Sequence, residues 1–244
     1  MTPLLSIDEL TKRFGGLTAV DRVSFSMAEG EAVALLGPNG SGKTTVLNMI
    51  SGHLPASAGR IRLGGTTISG LPAHRIAHHG VARTFQLVRV LPSLSVEENV
   101  LAAIRFRVRP ASAAEAEEEA GSLLERVGLA GRGGEPASAL TYIDQKRMEL
   151  ARALGSRPSL LLLDEWLAGL NPSELRIGID LIARLNDTGM TVLLVEHVMD
   201  AVRALCPRAV VMNAGRKIAD GATAEVLKDR EVVRAYLGES DAVA

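Results

Sequence analysis

The sequence of 244 residues, 47% hydrophobic and 23% charged, suits one large α/β domain whose core needs no disulfide or metal staple. Its 27 Lys and Arg against 28 Asp and Glu leave a net charge of −1, which argues against broad contact with nucleic acid, and the single Cys206 excludes an internal disulfide. Mean hydropathy is high at +0.17, yet no apolar stretch approaches the roughly 18 residues of a membrane span, so the excess reads as buried strands.

The N-terminus carries no basic leader and no long apolar stretch, so no signal peptide is expected. Ala19–Met27 alternates, with Val23, Phe25 and Met27 on one face, as in a half-buried strand. Glu31–Leu36 is a compact apolar strand that runs into a glycine-rich turn, and Thr44–Ser51 continues as a helix. A strand follows at Arg60–Leu63. Between about 88 and 158 strand signals fade. Ser95-Val-Glu-Glu98 is a capping-box start to a helix, Ala111–Val127 predicts a second, mostly exposed one, and Tyr142–Leu154 a third. Gly131–Pro136 reads as a flexible connection. From 159 onward, apolar strands at Leu160–Leu163, Thr191–Val195 and Ala209–Met212 alternate with helices at Pro172–Asn186 and Met199–Leu205, the βαβ pattern of a parallel sheet.

Gly37-Pro-Asn-Gly-Ser-Gly-Lys-Thr-Thr45 fits G-x-x-x-x-G-K-[ST] between a predicted strand and a predicted helix. Glycines let backbone N–H groups curl around phosphate oxygens, and the helix N-terminus points positive charge at the anion. Lys43 should reach the β- and γ-phosphates, and Thr44 should bind Mg²⁺. Such a loop needs an acidic metal partner at the end of a neighbouring buried strand. Leu160-Leu-Leu-Leu-Asp164-Glu165 supplies it, with Asp164 for the metal and Glu165 placed to polarise a hydrolytic water. His197, just beyond Thr191–Glu196, falls at the same sheet edge and is a candidate γ-phosphate contact. His78 and His79 have no ligand-spaced partner, and Cys206 reads as packing.

These residues, in this order, resemble the ATP-binding subunit of an ABC transporter. Asp164–Glu165 is similar to Walker B, Gln86 in Val-Ala-Arg-Thr-Phe-Gln86 to the Q-loop glutamine, Ala168-Gly-Leu-Asn171 to the D-loop, and His197 to the switch histidine. Phe14 resembles the aromatic that stacks on adenine. The stretches Phe14–Val20, Val81–Gln86, Ala168–Pro172 and Val233–Gly238 resemble the longer of the two ATPase types in branched-chain amino acid importers. The resemblance implies a P-loop NTPase fold of α/β class with a RecA-like, mostly parallel core. An N-terminal antiparallel β part would complete 1–87 and 159–244, with an inserted helical subdomain at 88–158. It implies ATP and Mg²⁺ as cofactors. Phe14, Gly37, Pro38, Asn39, Gly40, Ser41, Gly42, Lys43, Thr44, Thr45 and the signature residue Thr141 would hold nucleotide. Thr44, Gln86 and Asp164 would hold the metal, and Lys43, Gln86, Glu165 and His197 would be catalytic. The implied partners are two integral-membrane permease subunits, a second ATPase or a second copy of this chain, and indirectly an external solute-binding protein, with the chain itself peripheral on the cytoplasmic face of the inner membrane.

Two positions depart from the family pattern. The signature reads Leu140-Thr141-Tyr142-Ile143-Asp144, with Ile143 for a glycine and Asp144 for a glutamine. A β-branched side chain hinders close backbone approach and positive φ, and a carboxylate repels triphosphate unless a cation such as Lys146 or Arg147 screens it. An asymmetric pair of ATP sites, with this signature serving the partner's site poorly, is one expectation. A nucleotide-binding regulatory subunit with weak turnover is the alternative. The other departure is Trp166, where the family has proline; it reads as filling space beside the D-loop. A P-loop GTPase or kinase would leave Gln86 and His197 unexplained and lacks the Asn-Lys-x-Asp motif. Soluble ABC ATPases of DNA repair or translation bring a second cassette or a long coiled coil. Arg105-Phe-Arg-Val-Arg-Pro110 and Glu115–Glu119 read as solvated charge blocks, with lipid headgroups as the lesser alternative for the arginines.

Overall fold

The computed structural model describes residues 2–108 and 111–237. The chain opens with an antiparallel pair, β1 (Leu5–Phe14) and β2 (Leu17–Met27), which buries Leu5, Ile7, Val23, Phe25 and Met27. The wholly buried β3 (Ala32–Leu36) enters the glycine loop, and α1 (Lys43–Ile50) leaves it. Strand β4 (Ala58–Leu63) pairs back onto β1, and β5 (Thr66–Thr67) completes a four-stranded sheet in the order β2-β1-β4-β5. Next come α2 (Ala73–His78), β6 (Val81–Arg83), α3 (Val96–Arg105), α4 (Ala113–Arg126) and α5 (Tyr142–Gly155). The chain then alternates through β7 (Leu160–Asp164), α6 (Pro172–Asp187), β8 (Thr191–Val195), α7 (Met199–Leu205) and β9 (Arg208–Asn213). It ends in β10 (Arg216–Ala222), α8 (Thr223–Val226) and α9 (Arg230–Leu237).

The second sheet runs β10-β9-β3-β8-β7-β6, parallel throughout except for β10. Alternate residues of its strands feed two separate cores. Val33, Leu35, Leu160 and Leu162 face α1 and the four-stranded sheet, while Ala34, Leu36, Leu161 and Leu163 face the helices of the opposite layer. Burial on both faces explains why these strands read as continuous apolar runs. No helix among the described residues is long and apolar enough to cross a membrane.

The expected strands and helices from β2 onward fall where their patterns placed them, and the differences have local causes. The P-loop strand β3 and the acidic strand β7 are not neighbours as expected; β8 lies between them. The pattern before Ala19 does not predict β1, because Glu9 takes φ 45° and the register shifts between Ile7 and Leu10, which breaks the alternation. Helix α4 begins at Ala113 because Ser112 forms a capping box with Glu115, and its Ala116, Ala120, Leu123 and Leu124 are buried. The connection at 131–136, expected to be flexible, is pinned. Its Gly133 and Glu135 carbonyls accept the N–H groups of Glu97 and Val96, satisfying the first turn of α3. Arg107 is not on a solvated face either: it pairs with Glu119 through two bonds of 2.8 Å, and Arg157 joins the same carboxylate. Arg109, Pro110 and Gly238 lie outside the described residues.

Candidate active site

The C-terminal ends of β3, β7 and β8 meet along one sheet edge, the usual place for a ligand in an open α/β sheet. Gly37 leaves β3 with φ 143°, and a Cβ there would lie 2.1 Å from the Met212 carbonyl oxygen, so only glycine fits. Gly42, at φ 106°, is the N-cap of α1. Lys43 Nζ donates to the carbonyls of Gly37 at 2.7 Å and Pro38 at 3.0 Å. An ammonium has three donors, so one remains for an anion at the loop. Burial lowers the Lys43 pKa, opposed by the negative charges of Glu165 and Asp164. Among the described residues Ser41 Oγ is buried without a partner, and the space a Cβ at Gly40 would enter is open. This cradle fits phosphate oxygens. Asn39 and Thr44 are exposed at its mouth, with Pro38 and Thr45 half-buried.

Glu165 follows β7 with φ 48°, a conformation costly for a non-glycine residue and found where a side chain must be aimed. The Gln86 amide donates to Glu165 Oε2 at 2.6 Å, and His197 Nε2 lies 2.9 Å from Oε1. Two residues from separate segments thus meet on the Glu165 carboxylate. Asp164, the last residue of β7, is buried and pairs with Arg83 at 2.7 Å. The Asp164 carboxylate and the Thr44 hydroxyl are hard oxygen donors. That set suits Mg²⁺, which takes one or two protein oxygens plus substrate phosphates rather than a protein cage. Phe14 is 48% exposed, and Lys12 Nζ lies 5.1 Å from its ring centroid.

Sequence reasoning passed over three buried charges that hold this constellation. Arg83 ends β6 and donates to Asn48 at 2.7 Å and Ser51 at 3.1 Å on the α1 side, besides pairing with Asp164. Glu196, the last residue before His197, accepts the Leu167 N–H at 2.6 Å and the His197 N–H at 3.3 Å, bracing the turn after Glu165 against His197. Glu149 on α5 accepts the Arg89 N–H at 3.1 Å, tying the segment after Gln86 to the signature helix. The available signal was a charged residue directly after an apolar strand, or on the buried stripe of a helix.

Burial raises the pKa of both Glu149 and Glu196, and their backbone N–H bonds only partly offset it. A carboxyl whose folded pKa is raised contributes stability below its ordinary value of 4.5 that is lost as pH rises through the folded value. Glu149→Gln, which keeps an acceptor for Arg89, should therefore flatten the fall in Tm as pH rises above 4.5. Thermal melts across that range check it; an unchanged slope would refute it.

The signature sits at the N-terminus of α5. Thr141 is exposed, and its side chain donates to Asp144 Oδ2 at 2.8 Å and accepts the Asp144 N–H at 3.4 Å. Ile143 lies inside the first helical turn, buried and without positive φ, so the anticipated positive-φ conflict does not arise. Asp144 is screened, by Arg147 at 3.0 Å as anticipated and by Arg132 at 2.7 Å, but not by Lys146. Burial pushes the Asp144 pKa up, yet the Thr141 hydroxyl and Arg132 outweigh it and hold the carboxyl below its usual range. Lys146 instead lies 4.8 Å from the Tyr142 ring centroid, buried, with no hydrogen-bond partner among the described residues. Trp166 is buried against Gly178 of α6 and donates its indole N–H to the Lys146 carbonyl at 3.3 Å, which makes it packing beside the D-loop.

Comparison with known proteins matches this geometry to a family. The family model for ABC transporters matches residues 20–168, and that for the branched-chain amino acid ATP-binding cassette transporter matches 216–242. The high-affinity branched-chain amino acid transport ATP-binding protein LivG of Salmonella typhimurium is 42% identical over 98% of this chain and 99% of its own. The corresponding BraF of Pseudomonas aeruginosa is also 42% identical with the same coverage. The lipopolysaccharide export system ATP-binding protein LptB of Escherichia coli is 36% identical over 96% of this chain and 97% of its own. Among solved structures, an ATP-binding cassette of an ABC transporter in its ADP conformation superposes with a TM-score of 0.88 at 31% identity, covering 98% of this chain and all of that one. By sequence and by fold, the chain belongs to the ATP-binding subunits of ABC transporters.

Proposed function

We propose that the chain binds ATP on its P-loop and hydrolyses it to power import of branched-chain amino acids or similar small solutes. The observation that carries this is the meeting of Gln86 and His197 on the Glu165 carboxylate beside the Lys43 loop. In this reading the loop N–H groups and Lys43 hold the β- and γ-phosphates, and His197 contacts the γ-phosphate. Gln86 and His197 aim Glu165 at the attacking water. Glu165 accepts the water proton as the new P–O bond forms and the bond to the bridging oxygen breaks, leaving ADP and phosphate. Mg²⁺, held by Thr44, Asp164 and Gln86, would neutralise phosphate charge when bound. Phe14 stacks on adenine, so Phe14→Ala should raise KM for ATP about 5- to 150-fold with kcat little changed, base–aromatic stacking being worth roughly 1–3 kcal/mol. Steady-state kinetics test this, and a fall confined to kcat would refute it.

Substrate class rests on the relatives, whose names specify branched-chain amino acid transport. On the same footing we assign two permease subunits, a second ATPase or a second copy of this chain, an external binding protein, and a peripheral place on the cytoplasmic face of the inner membrane. Residues 88–158 would act as a helical subdomain that presents Thr141 to the nucleotide of the opposite subunit. The reading as a weakly turning-over regulatory subunit loses its main support, because Asp144 is neutralised by two arginines. ATP hydrolysis by the full transporter, with Lys43→Ala as control, decides between the two. Wild-type turnover no higher than that of the control would overturn hydrolysis.

A further inference from the structure

We propose that Tyr236, near the end of α9, is a positioning residue of the P-loop, which it holds at its first glycine; this rests on the nucleotide-binding reading above. The Gly37 N–H donates to Tyr236 Oη at 2.8 Å, a bond between residues 199 positions apart in sequence. Its effect on the loop follows from the chemistry of Gly37. That residue has φ 143°, a conformation open to glycine alone, so its own sterics restrain it little. The next residue, Pro38, has no N–H with which to anchor the loop. Gly37 is therefore held by its two polar groups. Its carbonyl accepts Lys43 Nζ at 2.7 Å, and its N–H is bonded to the phenol. A chain of two hydrogen bonds runs from the C-terminal helix through one peptide residue to the lysine that faces phosphate.

The rest of the loop's back is braced by backbone from the same end of the chain. The Met212 carbonyl oxygen fills the space behind Gly37, and the Gly215 N–H donates to the Ser41 carbonyl at 3.0 Å. Tyr236 is the side-chain member of this brace. Burial raises its pKa against the opposing Gly37 bond, so the oxygen stays a neutral phenol at physiological pH. Val232, one turn earlier on α9, is 1% exposed and anchors the helix independently of the phenol.

The test is nucleotide binding by the full-length chain, with fluorescent ATP and ADP analogues as probes, for Tyr236→Phe and for Val233→Ala. Tyr236→Phe keeps the ring and removes only the acceptor. The Kd for both nucleotides should rise about 3- to 12-fold, the worth of one partly buried hydrogen bond. Amide exchange at Gly37, read by mass spectrometry, should accelerate in the same variant. Val233, on the exposed side of the helix, should leave both unchanged. A Tyr236→Phe chain that binds within twofold of wild type, or a Val233→Ala chain that loses as much, would overturn the role of the phenol. A wild-type chain that binds neither nucleotide would overturn the nucleotide reading itself, and this one with it.

Discussion

Glu165→Gln should lower ATP hydrolysis by about 10²- to 10⁴-fold while leaving ATP affinity within a few-fold of wild type, the range for losing a general base. The structure makes this a clean substitution. Glutamine fills the same volume and offers an amide oxygen to Gln86 or His197, but it cannot accept the proton of the attacking water. In the proposed reading the binding apparatus lies elsewhere, on the loop of Gly37 and Lys43. Single-turnover hydrolysis measured beside nucleotide binding separates the two effects, and a parallel loss of affinity would show that Glu165 holds ATP rather than activating water. The same substitution tests asymmetry between two sites. With Asp144 neutralised by Arg132 and Arg147, electrostatic repulsion no longer favours unequal sites. If the partner is a different ATPase, Glu165→Gln here and the equivalent change there should cause similar losses. A much smaller loss from one of them would restore the asymmetric reading.

Most of the site could be read in the sequence because its parts are strand ends. A buried parallel strand reads as a short apolar run, and the first polar residue after it necessarily stands at the sheet edge where ligands bind. That logic located Gly37 after β3 and Asp164 and Glu165 after β7; after β8 it reached His197 only by passing over Glu196, the first polar residue there. It could not supply the order of the strands, so it made β3 and β7 neighbours when β8 separates them. It also failed wherever a charge is neutralised by a distant residue. Nothing local to Asp144 indicates that Arg132, twelve residues earlier, turns back onto it. Tyr236 is further still from the loop it touches, and its chain-end helix resembles many amphipathic C-termini. Caps were legible because they are local, and the capping boxes at Ser95 and Ser112 both form.

Arg83 is where these long-range neutralisations matter most for stability. Its guanidinium and the Asp164 carboxylate are both nearly buried, with side chains 6% and 7% exposed, and its Nη1 donates to Asn48 and Ser51. Removing one member of a buried pair leaves the other charge unsolvated and unpaired, which typically costs about 3–5 kcal/mol. Arg83→Met, which keeps some of the stem's packing, should therefore lower Tm by roughly 6–15 °C for a domain of this size. The cost should fall on more than one element, since the same guanidinium joins β6, β7 and the P-loop helix. Asp164→Asn in the Arg83→Met background removes the orphaned charge and should recover a substantial part of the lost Tm, although the double variant cannot regain metal binding through that carboxylate. Calorimetry on the two single variants and the double variant checks this. Strictly additive losses would mean that the pair is not coupled and that Arg83 acts through Asn48 and Ser51 alone. Strong non-additivity would show that the arginine's main task in the fold is to make a buried aspartate tolerable at the position where the chemistry needs one.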